Sequence, residues 1–513
     1  MENKNRKLKI IYLFQAIPHY YNHVLSRLND LPYFEIIDVI PKETKHVGAG
    51  VYQTKEDSNF KIIKLDEIET THGQFFQGLF KVIIKERPDI IVTVRNHLEG
   101  IKDKRWFYVF IRLLGIKLIL KDHPFRLPTA EELLLSMEKE DASKPVLTGI
   151  EWLLYPLFKK KLFRKELLPS DLLAIYRSAS ELESKGMNSE ATALFNKVIE
   201  KDQTHNRKLS AGAYYHLSQL AEGEVKKTML KKCFSRDPSN SKAFKTLKPN
   251  IYPFFECLAK LAKKYYRAKT LKRFQKLFNM PDAHVHYVET GRNILKTYGV
   301  PQERIFLTYN SPDTEMLFKV KDKLLNETQP PQKKIQRIVH TGRLVEWKRV
   351  DLLIKAVAKL KDKFNQIELL VIGYGPEEER LKKLAEEEKV KERISFLGGI
   401  YDPYELGKLY LSSSVYVLAG MGGISINEAM CFGLPIILSV CDGTEKHLVF
   451  NGQNGFYFEE GNLDDLCAKI SKILSEPKLS HEMGRESERI IREQINIHTV
   501  IKGYTEAFRF VMK

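Results

Sequence analysis

Cysteine is scarce and unpatterned in this chain. Five residues, Cys233, Cys257, Cys431, Cys441 and Cys467, lack the short paired spacing of a metal site, and their odd number fits a reduced compartment better than a disulfide framework. Long apolar runs are missing too. The most hydrophobic window, WFYVFIRLLGIKLIL from Trp106 to Leu120, is interrupted by Arg112 and Lys117, which leaves it too short and too charged to cross a bilayer. The basic start, MENKNRKLKIIYLF, has no small-residue cleavage site after it, so it is expected to be a first strand and not a signal peptide. The expected location is cytoplasmic, with peripheral attachment at the inner membrane face left open.

What is present in excess is positive charge. Lys and Arg number 83 against 65 Asp and Glu, a formal charge of +18, which favours anionic partners such as nucleic acid, phosphorylated small molecules or an anionic membrane surface. No nucleic-acid recognition motif accompanies it, and the cations concentrate beside aromatics, so no nucleic acid is expected as a partner. At 513 residues the chain exceeds one ordinary core, and two domains with an insertion are expected.

Short apolar runs alternate with helix-length segments at both ends of the sequence. KIIYLF, FEIIDVI, DIIVTV and IKLILKD, and later RIVHTG, IELLVIG, ISFLG, VYVLAG and LPIILS, have the continuous hydrophobicity of strands buried on both faces. The fold class is therefore α/β, with two Rossmann-like doubly wound parallel-sheet domains facing a cleft. Their expected extents are 1–127 and 281–330 for the first domain with its linker, which includes Pro330 and Pro331, and 331–495 for the second. A C-terminal helix at 496–513 is left free to cross back to the first domain.

The stretch 128–280 does not alternate and is expected to be an α-helical insertion. Within 170–250, LESKGMNSEATALFNKVIEKD and LSQLAEGEVKKTMLKKCFSRDP align with Asp202 on Asp237 and Phe195 on Leu230. This period is similar to the tetratricopeptide (TPR) helix pair; a plain helical hairpin explains it as well, and either offers a surface to a protein partner. Two basic segments with aromatics, 151–167 and 254–278, have the composition of helices that lie on an anionic membrane surface or, alternatively, of core-facing helices with a solvated outer side.

The chemistry gathers in the second domain. In GMGGISINEAMCFGLPIIL, Gly422 and Gly423 precede a helix expected near Ile424, whose free N–H groups attract an anion, and Glu428 lies about one turn inside. A tight turn followed by a solvated acid is the plainer alternative. HTGRLVEWKRV places Gly342, Arg343 and Lys348 after a strand, a planar fork and a point charge that can face one pyrophosphate, or else two surface cations. Gly373 ends a further strand, and Ile400 and Tyr401 stand on a turn that can flank a base.

Taken in order, GRLVEWK, VIGYGP, ISFLGGI, GGISINEAMCFGLPII and NGQNGFYF resemble the retaining, nucleotide-sugar-dependent glycosyltransferases of family 4 (glycosyl transferases group 1), which have the GT-B fold. The resemblance implies a nucleotide-sugar donor as co-substrate, no metal or other cofactor, and a glycan or lipid-linked saccharide as acceptor. It further implies that Arg343 and Lys348 hold the donor diphosphate, with Gly342, Gly373, Gly422, Gly423 and Ile424 around it. Glu428 would take the ribose hydroxyls, and Ile400 with Tyr401 would flank the base. His123, in LILKDHP, falls where the family carries a histidine near the transferred sugar. Two departures stand out. Gly420 occupies the place of a second glutamate that ordinarily contacts the donor sugar, and QAIPHYYNH replaces a glycine pair after the first strand, directing His19, Tyr20 and Tyr21 toward the cleft. The rivals to a transferase are a catalytically weak nucleotide-binding scaffold whose insertion recruits a partner, and a sugar-nucleotide epimerase of the same fold.

Overall fold

The structure, a computed structural model, describes residues 6–14, 19–43, 58–122, 128–135, 178–184, 186–201, 208–220, 226, 229, 268–439 and 443–513. Two compact units divide the chain, one of Met1–Pro128 with Gln275–Lys513 and one of Thr129–Phe274.

The first unit contains two sheets. One is built from β1 (Leu8–Leu13), β2 (Phe34–Pro41), β3 (Lys61–Glu69), β4 (Gln74–Gln77), β5 (Ile90–Thr93), β6 (Lys117–Lys121), β7 (Ala283–His286) and β8 (Ile305–Leu307), in the order β4-β3-β2-β1-β5-β6-β7-β8. The other comprises β9 (Arg337–Thr341), β10 (Glu368–Ile372), β11 (Ile394–Phe396), β12 (Val415–Leu418), β13 (Ile436–Leu438) and β14 (Gly455–Tyr457), ordered β11-β10-β9-β12-β13-β14. The second sheet is parallel throughout. The expectation of two wholly parallel sheets needs one correction: β3 and β4 pair antiparallel. The short link Thr70–Gly73, closed by Thr70 N–H donating to the Gly73 carbonyl at 2.8 Å, is too brief for the crossover that a parallel pair requires.

Burial explains why the central strands form. Ile10, Ile11, Ile90, Ile91, Val92, Leu118, Ile119 and Leu120 are fully buried, as parallel strands covered by helices on both faces must be. The helix Ile497–Val511 belongs to this core. Its apolar positions 497, 500, 504, 507, 508 and 511 fall on one stripe, which packs among Tyr12, Tyr21 and Phe34 under the first sheet. The Tyr21 and Tyr504 hydroxyls share a 2.6 Å hydrogen bond. The last helix thus follows the second domain in sequence and completes the first domain's core.

A second tie links the halves. Arg27, on the helix His19–Asp30, grips both carboxylate oxygens of Asp313 at 2.9 to 3.1 Å, while Asp313 also accepts from Met316 N–H to cap the helix Thr314–Leu325.

In the second unit, the helices Asn188–Lys201 and Lys208–Gln219 pack through Ala191, Phe195, Val198, Ala213 and Leu217, with Phe195 stacked on the His216 ring at 4.9 Å. The helix Asn188–Lys201 belongs to the first of the two similar segments, 182–202; of the second, 217–238, only 217–220, 226 and 229 are described, and the basic segment 151–167 lies outside the described residues. Of 254–278, only 268–278 is described, and there Leu277 and Phe278 are buried, with Phe278 5.3 Å from the Tyr298 ring. Leu277 and Phe278 thus belong to the core, while Leu271 and Phe274 are half-buried.

Candidate functional site

A cavity of about 400 Å³ opens at the carboxyl ends of the second sheet's strands. Its walls are strand-end loops that touch backbone to backbone, and glycine makes this approach possible. A Cβ at Gly373, which has φ 143°, would run into the Gly342 carbonyl, and the Gly373 N–H donates to Gly398 O at 2.7 Å. A Cβ at Gly420 would collide with the backbone of Trp347 and Lys348, and Met421 N–H donates to Trp347 O at 3.0 Å. The position expected to carry an acid is therefore pressed against the 346–348 turn, with no room for any side chain.

Lys348 ends that turn, and only 7% of it is exposed. Its Nζ donates to the carbonyls of Met421 at 2.7 Å and Gly422 at 2.9 Å and stands 3.2 Å from where a Gly423 Cβ would be. The lysine fastens two loops and carries a buried positive charge to the glycine turn. Arg343 lines the same cavity, its guanidinium 6.0 Å over the Trp347 ring. The helix after the turn, Ser425–Cys431, is seven residues long, so the attraction for an anion rests mainly on Lys348 and Arg343 and little on a helix dipole.

Glu428 faces the cavity one turn into that helix. Burial pushes its carboxyl up to about 7, partly offset by a hydrogen bond from the Tyr410 hydroxyl. Tyr416 supports the helix start from below through a 2.7 Å hydrogen bond with Ser425 Oγ. At the opposite wall a Cβ on Gly399 would meet the Tyr374 and Tyr401 rings, so this turn sits between two half-exposed tyrosines, with Ile400 beside them.

The structure thus brings Gly342, Arg343, Lys348, Gly373, Ile400, Tyr401, Gly422, Gly423, Ile424 and Glu428 to one cavity. His123 lies outside the described residues. Tyr21 corrects the expectation for the first loop: it is 6% exposed and bonded inward to Tyr504, while the side chains of His19 and Tyr20 lie outside the described set. The first domain instead reaches the cavity through His23, two positions further along the helix, whose imidazole burial holds below its ordinary pKa. Sequence reasoning also passed over Tyr374, Trp347, Asn310 and Asp313 as cavity residues. The usable signal was Asn310–Asp313, a polar segment between a strand and a capped helix. His23 had none, since its place depends on the docking of the two halves. Among the described residues no group of three or more His, Cys, Asp or Glu is arranged to hold a metal, and no helix is long and apolar enough to cross a membrane.

Two parallel-sheet domains with a cavity at the carboxyl ends of the second sheet define a GT-B fold. Solved structures share it: a glycosyltransferase from Rickettsia africae superposes with a TM-score of 0.53 at 13% identity, covering 99% of each chain. HepE from Anabaena, solved in complex with UDP, gives 0.51 at 12% identity over 98% of this chain and 99% of that one. Residues 321–490 carry a domain that matches the family model described as glycosyl transferases group 1. An uncharacterised glycosyltransferase of Haemophilus influenzae is 31% identical over 170 residues, covering 33% of this chain and 47% of that protein. The poly(ribitol-phosphate) alpha-N-acetylglucosaminyltransferase of Staphylococcus aureus is 25% identical over 203 residues, 39% of this chain and 41% of that protein. The chain spans about half the length of the curated relatives it matches.

Proposed function

We propose that this protein is a retaining glycosyltransferase of family 4 that moves a sugar from a nucleoside-diphosphate sugar to a hydroxyl of a glycan or lipid-linked saccharide. The observation that carries the reading is the convergence of Lys348, Arg343, the Gly422–Gly423 turn and Glu428 on one cavity. In this reading the diphosphate lies between the two cations and the turn, the ribose diol donates to Glu428, and the base rests between Tyr374 and Tyr401. The names of the relatives agree with an acceptor of this kind: one acts on poly(ribitol-phosphate) and another is a phosphatidylinositol monomannoside mannosyltransferase.

The reaction breaks the bond between the anomeric carbon and the diphosphate oxygen and forms one to the acceptor oxygen on the same face. The acceptor proton passes to the departing diphosphate. Charge grows on the diphosphate as the bond breaks, and Lys348, already desolvated and fixed by two carbonyls, stabilises it without reorganising. No step requires a metal. His123 would stand near the transferred sugar, and the sugar itself is recognised without the acid that Gly420 replaces.

Incubating the chain with a panel of nucleoside-diphosphate sugars and candidate glycans tests the reading. Transfer, or slow donor hydrolysis for one nucleotide, is expected. Binding of nucleoside diphosphates with neither outcome would instead favour a scaffold, for which the crowded Gly420 turn is the motivating feature.

A further inference from the structure

The helix Arg105–Leu113 is apolar on two sides. Phe107 and Ile111 are fully buried in the first domain, whereas Trp106, Val109, Phe110 and Leu113, at i, i+3, i+4 and i+7, make a second stripe facing out. Trp106 is 55% exposed and Leu113 82%. The neighbouring helix Leu79–Glu86 does the same, burying Leu79 and Ile83 while Phe80 and Ile84 stay exposed. The Phe80 ring lies 4.7 Å from Phe110 and 5.9 Å from Trp106, so the two stripes merge into one surface. Scattered apolar residues on a surface need no account; a continuous patch on two adjacent helices does.

Charge selects the partner. Lys81, Lys85, Arg87 and Arg105 are exposed on the same two helices or just beyond. The acids of this stretch are withdrawn: Glu86 is buried against Lys61, Asp89 pairs with Arg6, Glu99 is buried beside Lys102, and Asp103 is paired with His72. The solvent side of the patch therefore carries apolar rings bordered by cations, the pattern of an interfacial surface on an anionic leaflet.

We propose that this face of the first domain docks on an anionic phospholipid bilayer. Trp106, Leu113 and Phe80 enter the boundary between headgroups and acyl chains, and Lys81, Lys85, Arg87 and Arg105 meet the lipid phosphates. The face shares no residue with the cavity, so its test is independent of the transfer reaction. It also places membrane contact elsewhere than the basic segments 151–167 and 254–278.

The test is sedimentation of the full chain with vesicles of phosphatidylcholine alone and of phosphatidylcholine with phosphatidylglycerol. Binding is expected only to the anionic vesicles, weakening as salt is raised. The Trp106→Ser, Leu113→Ser double variant should lose about tenfold or more in binding, and Lys81→Glu with Lys85→Glu a similar factor, with turnover of soluble substrates unchanged. Brominated lipid should quench tryptophan fluorescence, and Trp106→Phe should remove most of that quenching. If the first double variant fails to fold, the lysine pair and the quenching carry the test. No binding to anionic vesicles, or binding equal in wild type and both double variants, overturns the proposal. So does a wild-type dimer that the Trp106→Ser, Leu113→Ser change dissociates, which would show that a second copy covers the face.

Discussion

The two sheets of the first unit handle their edges and ends differently. In the second, the loops after β9, β10, β11 and β12 are pressed backbone against backbone through Gly373, Gly375 and Gly420, and Lys348 pins the last of them. In the first, β3 shows an alternation of exposed and half-buried positions along its length, and two helices of the same domain, Leu79–Glu86 and Arg105–Leu113, keep large apolar side chains outside. A small, highly charged ligand requires donors fixed before it arrives, and close backbone packing fixes them. A large or planar partner requires open area instead. The difference teaches that backbone rigidity is concentrated at the strand ends of the second sheet and display of apolar surface in the first domain.

The strongest way to break this comparison is at Lys348. Lys348→Ala should lower transfer by about a hundredfold to a thousandfold, measured as kcat/KM, because a preorganised charge at the leaving group is lost. The chain should remain folded, with a stability loss of about 1–3 kcal/mol for the two abandoned carbonyls. Near-normal turnover would remove this residue from the site.

Backbone crowding gives the next effect. Gly373→Ala places a methyl group against the Gly342 carbonyl at φ 143° and should cost roughly 3 kcal/mol or more in denaturant unfolding. Gly115→Ala, in the first domain at φ 73° with open space around it, should cost only about 1 kcal/mol. Equal losses would contradict the contrast between the two sheets. Gly420→Glu should behave like the first of these and lower the Tm without gaining activity, since its Cβ has no room.

The smallest effect concerns pH. Glu428 titrates at about 7, so it is largely neutral below that value and ionised above it. Ribose hydroxyls donate better to a carboxylate, and a bound ligand that favours the charged form binds more tightly as pH rises. Nucleoside diphosphate affinity should increase by up to about tenfold between pH 6 and pH 8 beyond the ligand's own titration, then level off. In Glu428→Gln that extra dependence should vanish, as calorimetry across the same range would reveal.

Much of this was legible in the sequence, for identifiable reasons. β1, β2, β5, β6, β9, β10, β12 and β13 are rich in Ile, Leu and Val and mostly buried on both faces, and hydrophobicity marks them, whereas β11 is Ile394–Phe396 with Ser395 exposed and was legible from the turn that follows it. β3 was hidden because it is exposed and alternates with charge, and β7 because two of its four residues are the buried histidines His284 and His286. β8 and β14 are three residues each and, unlike the equally short β13 inside LPIILS, are only partly buried and flanked by polar residues. The cavity's glycines and cations were readable because they are neighbours in sequence on strand-end loops. His23 was not, since it comes to the cavity across the docking of two halves held by Arg27 and Asp313. The outward stripe on Arg105–Leu113 was visible only as hydrophobicity; burial of Phe107 and Ile111 was needed to show which residues were left outside.

Calorimetric titration of matched ligands most directly tests whether Lys348, Arg343 and the Gly422–Gly423 turn hold one pyrophosphate. A nucleoside, its diphosphate and inorganic pyrophosphate would each be titrated into wild type, Lys348→Ala and Arg343→Ala. Both substitutions should weaken the diphosphate and pyrophosphate by about tenfold to a hundredfold and leave the nucleoside within about twofold. Diphosphate affinity that survives both changes, or a nucleoside affinity that falls as steeply, would contradict the account.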